Sequence, residues 1–232
     1  MDRRISYKIV LDCETAPCDN TINSVTPTNM LVYDLGWVVT DKRGTVYETK
    51  SFVNADVFLG EKGLMQSAYY AKKIPQYWED IKSGKRVLTS FYNIRQELLK
   101  DIKKYEVEQI FAHNMLFDNG SLNNTQRWET KSKYRYFFPK NVTICDTLKM
   151  ARQLVATMPT YQRFCEANGY MTKHSTPRPR LTAEILYRFI SGNSEFAENH
   201  TGLEDCMIEK EIMAYCYRKH KKMNIELFSR GN

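Results

Sequence analysis

Three short stretches of the sequence concentrate side chains able to do chemistry. In the first, Asp12 and Glu14 flank Cys13. Residues two apart on a strand point to the same face, so the two carboxylates would project together from a strand end. The second runs His113-Asn114-Met115-Leu116-Phe117-Asp118. Asn114 is a good N-cap, which places Asp118 in the first turn and a half of a helix. The third is His200-Thr201-Gly202-Leu203-Glu204-Asp205. Thr201 and Glu204 have capping-box spacing, so His200 falls at N′ and Asp205 at N4, the positions that meet in a staple. Converging carboxylates repel, and burying them is costly unless a cation balances them. Each stretch also has a plainer reading. Asp12 and Glu14 suit a solvated strand end, Asp118 suits dipole compensation at a helix start, and His113 reads as an ordinary loop histidine.

These residues must be held by regular elements. Apolar patterning predicts strands over 6–11, 31–39, 45–53, 107–112 and 142–145, with a hairpin turn at 41–44. Helical spacing is found over 63–73 and 90–104, where Phe91, Ile94, Leu98 and Ile102 share a face. A helix follows from about 115. Asp146 is a natural N-cap for another through 154, and helices are expected over 160–167, 181–190 and from 201. Three consecutive strands followed by alternating strands and helices imply a mixed sheet with helices packed on it.

The chain has 232 residues, of which 42% are hydrophobic, and so carries enough apolar residues for a proper core. Apolar runs are too short to span a membrane, and no signal-peptide pattern follows the N-terminus. The six cysteines lack C-x-x-C spacing, which argues against a zinc knuckle. Six free thiols in a cytoplasmic protein are expected. The net charge of +7 is unevenly placed: residues 1–120 carry 16 Lys+Arg and 16 Asp+Glu, the rest 18 and 11. The excess gathers at 131–140, 173–180 and 218–222. In the first of these the basic residues alternate with Tyr134, Tyr136, Phe137 and Phe138. Basic residues interleaved with aromatics suit a polyanion with stackable bases, although a charge run is more often a solvated face.

The three stretches together resemble the DnaQ-like exonucleases, the 3′-to-5′ nucleases called DEDDh. That family's D-x-E, H-N-x-x-F-D and H-x-x-x-x-D occur here in order as Asp12-Cys13-Glu14, His113 to Asp118 and His200 to Asp205. The segment from Val142 to Arg152 is similar to a secondary family segment, and the resemblance runs from about Tyr7 to Ala214. It implies a ribonuclease H-like α/β fold: a mixed five-stranded sheet flanked by helices in a single domain over 1–232, its core about 6–218, with a short C-terminal tail. It also implies that Asp12, Glu14, Asp118 and Asp205 bind metal and that His200 is the general base. Thr15, Asn114 and Phe117 become candidate contacts to the terminal nucleotide, and the basic loop adds Arg178 and Arg180.

The chemistry is consistent with that assignment. Two Mg²⁺ or Mn²⁺ ions about 3.5–4 Å apart can clamp the attacking and leaving oxygens of a phosphodiester. Hard divalent cations prefer oxygen ligands. A histidine titrating near neutrality can take the proton of an attacking water. The expected activity is removal of nucleotides from the 3′ end of single-stranded DNA or RNA. Two alternatives are a proofreading subunit of a polymerase and a non-catalytic nucleic-acid-binding module on the same fold. The tail after Lys222 holds no evident docking segment for the first, and the complete acid and histidine set argues against the second.

Overall fold

The computed structural model describes residues 2, 4–19, 25–60, 63–69, 71–219 and 229–231. Its centre is a sheet ordered β4-β3-β2-β1-β5-β6-β7. The strands are β1 (Lys8–Pro17), β2 (Met30–Thr40), β3 (Val46–Asn54), β4 (Val87–Thr89), β5 (Gln109–Ala112), β6 (Thr143–Asp146) and β7 (Ser229–Gly231). β2 runs antiparallel to β1 and β3, whereas β5 and β6 run parallel to β1. The five expected strands form the middle of the sheet, and a three-residue strand at each edge corrects the count to seven. Runs that short carry no readable alternation, and β7 lies in what was expected to be a tail.

Side-chain alternation sorts β1 cleanly. Ile9, Leu11 and Cys13 join one core with α3 (Phe91–Lys104) and α4 (Met115–Thr130). Val10 joins the opposite core with α5 (Thr147–Leu154), α6 (Pro159–Ala167), α7 (Ala183–Ser191) and α8 (Gly202–Lys219). Asp12 and Glu14 continue the Val10 face. Every residue of β2 is buried, as a central strand covered on both faces requires. A third cluster links Tyr33 and Val53 to α1 (Ala55–Phe58) and to Tyr77 of α2 (Ile74–Lys82).

α8 meets β2 at very short range. A Cβ on Gly36 would lie 2.2 Å from the Leu203 nitrogen, and one on Gly202 would lie 2.7 Å from the Gly36 nitrogen. Only glycine at both positions lets the head of α8 sit directly on the strand opposite Asp12, which is the Cα partner of Gly36. The helix expected over 63–73 is instead two 3₁₀ turns, Met65–Ser67 and Ala71–Lys73, with Ala68 extended at ψ 140° between them. The continuous helix is α2, just beyond. All six cysteines are free thiols, and among the described residues no helix is long and apolar enough to cross a membrane.

Candidate active site

β1, β5 and β6 point their carboxyl ends to one side of the sheet, the side where open α/β sheets bind ligands. Asp12 and Glu14 lie at that end of β1. Asp205 reaches them from the first turn of α8. Among the described residues, one oxygen from each of these three carboxylates lies within 4.8 Å of the others. Asp118 stands outside that set. α4 packs on the Cys13 face, so Asp118 approaches from across the strand, and its Oδ1 accepts the Cys13 thiol at 3.2 Å.

Charging these acids is costly. Burial, then Glu209, Asp118 and Glu14, drive the Asp12 carboxyl well above its ordinary range. Burial and the facing Asp34 push Glu14 up to about 9. Burial first of all raises Asp118 to about 7, and burial with Glu198 raises Asp205 to about 7. Asp205 Oδ2 accepts the Thr201 N–H at 3.1 Å, whereas its buried Oδ1 has no hydrogen-bond partner. A buried carboxylate oxygen left open among three acids is the donor set that a hard divalent cation requires.

Two left-handed residues introduce the helices that carry the acids. Asn114, at φ 73°, precedes α4, and His200, at φ 48°, precedes α8. Asn114 does not cap α4 through its side chain as expected. In the left-handed conformation its N–H instead donates to Asp146 Oδ1 at 3.2 Å. Asp146 also accepts from Leu148 and Lys149, so the expected cap of α5 also pins this turn. The capping box at Thr201 is rearranged. The reciprocal acceptor for the Thr201 N–H is Asp205, and the Thr201 hydroxyl donates to Glu204 Oε2 at 2.7 Å. His200 Nδ1 faces Glu198 Oε2 at 3.7 Å, and Lys73 donates to the His200 carbonyl at 3.4 Å. Burial and then Lys73 hold the His200 imidazole below its ordinary pKa, so it is neutral at pH 7.

Other residues were missed by sequence reasoning. Glu209, one turn beyond Asp205 on α8, is buried, and its Oε2 accepts the His113 N–H at 3.0 Å. Asp34 is fully buried opposite Glu14 and accepts from Tyr77, Gly202 and Arg86. The i, i+4 spacing of Asp205 and Glu209 was a usable signal for the first. Nothing local marks the second, because Arg86 lies 52 residues away in sequence. His113 is more than a loop residue. Its ring bonds Thr147 Oγ1 at 3.0 Å and donates from Nε2 to the Leu181 carbonyl at 2.7 Å, tying three segments together.

Thr15 follows a register shift in β1 at Glu14/Thr15. Phe117 is half-buried on the first turn of α4, and Asn114 is exposed beside it. Arg178 and Arg180 are not in the carboxylate cluster; they line a separate cleft. Of the basic stretches, 131–140 divides into buried Phe137 and Phe138 and exposed Tyr134 and Tyr136. Residues 220–222 of the last stretch lie outside the described residues.

No protein-family model matches the sequence, and no curated protein matches it. Solved structures do. Exonuclease I from Methylocaldum szegediense superposes with a TM-score of 0.56 at 14% identity, over 94% of this chain and 41% of that one. E. coli exonuclease I in complex with a dA16 oligonucleotide gives 0.55 at 14% identity, over 93% and 41%. S. pombe Pop2p in its Mg²⁺- and Mn²⁺-bound form gives 0.51 at 12% identity, over 97% and 88%. The chain therefore has the ribonuclease H-like α/β fold of these structures, and it spans about 41% of the length of the exonuclease I chains.

Proposed function

We propose that this protein is a metal-dependent exonuclease that removes nucleotides from the 3′ end of single-stranded DNA or RNA. The observation that carries the reading is the convergence of Asp12, Glu14 and Asp205 within 4.8 Å, with one buried Asp205 oxygen left without a partner. In this reading Asp12, Glu14, Asp205 and Asp118 would hold two Mg²⁺ or Mn²⁺ ions. When bound, such ions supply positive charge to the phosphoryl oxygens and the departing 3′ oxygen.

The protein's own side chains do the rest. His200 is neutral and turns Nδ1 toward Glu198. Nε2 is then the nitrogen that accepts the proton of the attacking water. His200 takes a left-handed turn whose carbonyl accepts from Lys73, and in this reading its ring serves the carboxylate cluster. Thr15 and Phe117, next to Glu14 and Asp118 in sequence, and Asn114 at the head of α4 would position the terminal nucleotide.

The test is incubation of 5′-labelled single- and double-stranded DNA and RNA with Mn²⁺ or with EDTA. A ladder shortening from the 3′ end in Mn²⁺ alone is expected, fastest on a single strand. Failure to shorten any of the four substrates would overturn the reading. His200→Ala should lower the rate roughly 10²–10⁴-fold. In the wild type the rate should rise with pH, with a midpoint below the ordinary imidazole value of 6.5, as the ring loses its proton. A variant that kept wild-type turnover across pH 6 to 9 would remove His200 from the role.

A further inference from the structure

The basic loop at 170–182 is a built structure. Thr172 donates its N–H to the Arg178 carbonyl at 2.8 Å, and Arg178 returns its N–H to Thr172 Oγ1 at 2.9 Å. Met171 and Pro179 form an isolated bridge, and Tyr161 donates its hydroxyl to the Arg180 carbonyl at 2.6 Å. The loop walls a cavity of about 1200 Å³ whose other side is α5 with Arg152, and whose floor includes His113.

The lining contains Arg152, Arg178, Arg180 and His174 and no acidic residue. Three arginines elsewhere are held by acceptors. Arg86 and Arg188 sit in ion pairs with acids, and Arg95 donates to the Phe137 carbonyl. Among the described residues no acid pairs with Arg152, Arg178 or Arg180, and all three are exposed. Unpaired guanidinium groups around one cleft repel one another and are settled by an anion, for which phosphate oxygens are the best geometric match. The volume exceeds the roughly 300–1,000 Å³ of small-molecule sites, which favours a segment of polymer over a single small anion.

The cleft is linked to the carboxylate centre through His113 and Glu209, the acid that acts most strongly on Asp12. His113 presents its ring to the cleft and its N–H to Glu209, and the next residue opens the turn into α4. The β5–α4 turn thus connects the two sites.

We infer that this cleft is an exosite for the phosphodiester backbone of the single strand whose 3′ end occupies the carboxylate centre. The inference rests on the nuclease reading for the identity of the strand. The exosite binds phosphates through protein cations alone, so it works without metal. That separates the two readings experimentally.

The experiment is fluorescence anisotropy in EDTA, with 5′-labelled single strands of about 20 and about four nucleotides, over a salt series. The proteins are the wild type, Arg152→Ala combined with Arg178→Ala, and Arg43→Ala as an exposed arginine of the distant β2–β3 turn. The wild type should prefer the longer strand. The double variant should bind that strand about tenfold more weakly, with a slope of log K against log salt smaller by about 1.4, as two lost phosphate contacts predict. Arg43→Ala should keep wild-type affinity and slope. Wild-type affinity in the double variant, an equal loss in Arg43→Ala, or no binding by the wild type in EDTA would each overturn the exosite. Binding in EDTA without degradation in Mn²⁺ would leave the exosite standing and remove the nuclease reading. Circular dichroism of the double variant confirms that the loss is not unfolding.

Discussion

Two buried acid clusters lie side by side on the same strands, and the protein treats them in opposite ways. Around Asp34, Arg86 binds Asp34 at 3.2 Å, Asp80 at 2.9 Å and Glu204 at 2.8 Å. Tyr77 and the Gly202 N–H complete the shell. Around Asp12, Glu14 and Asp205 the neighbours are largely other acids, and one oxygen has no partner. The registers Glu14↔Asp34 and Asp12↔Gly36 place the two clusters one step apart. Burial opposes the charged form in both. In the first, burial still raises Asp34, but Arg86 works against it, and against burial Lys85, the Thr201 hydroxyl and then Arg86 hold Glu204 down to about 2. In the second, Lys73 acts on Glu14 and Asp205 but leaves both well above the ordinary carboxylate range. The difference separates an acid cluster that builds the fold from one kept ready for a cation from outside.

The sharpest way to break this contrast is through activity. Asp12→Ala should fold normally and lose at least about 10³-fold in Mn²⁺-dependent degradation, because loss of charge stabilisation worth several kcal/mol is at stake. Undiminished turnover would dissolve the distinction. On the closed cluster the large effect is on stability. Arg86→Met leaves Asp34 buried and unpaired, and thermal unfolding should report a loss of about 3–5 kcal/mol, near 6–20 °C in Tm.

The open cluster should respond with the opposite sign. The folded pKa values of Glu14, Asp118 and Asp205 are raised to about 9, 7 and 7. The folded state therefore holds more protons than the unfolded chain between the ordinary carboxylate range and those values. Stability in EDTA should fall as pH rises from about 4 to about 9. Asp205→Asn removes one of these charges and should stabilise the metal-free protein at pH 8 by about 1–3 kcal/mol while abolishing activity. A destabilised variant would place Asp205 with the structural acids. The smallest effect concerns Glu209. Glu209→Ala frees the His113 N–H and should lower the rate about 10–100-fold, the range for groups that orient ligands. Glu209→Gln keeps an acceptor oxygen and should recover most of it.

What could be read from the sequence follows from the range of the interactions involved. The pairing of Asp12 and Glu14 on one face rests on the two-residue strand repeat. The cap at Asp146 rests on contacts two and three residues away, and the α8 start at Gly202 rests on a local polar pattern. Long-range partners leave no such trace. Arg86 sits in a Gly-Lys-Arg stretch that reads as surface, yet it is 2% exposed because three acids from three elements converge on it. Gly36 looks like a weak point in a strand until α8 is placed on it. Asn114 is of a type that suits a side-chain cap. Asp146, 32 residues later, draws its backbone into the left-handed turn.

Thermal unfolding of the wild type at pH 8 in EDTA and in Mn²⁺, beside Asp12→Ala, tests the open cluster most directly. Mn²⁺ should raise the wild-type Tm by several degrees, because a ligand that binds only the folded state stabilises it. It should leave Asp12→Ala nearly unmoved. Equal shifts in both proteins, or none in either, would contradict a cation site built from these carboxylates.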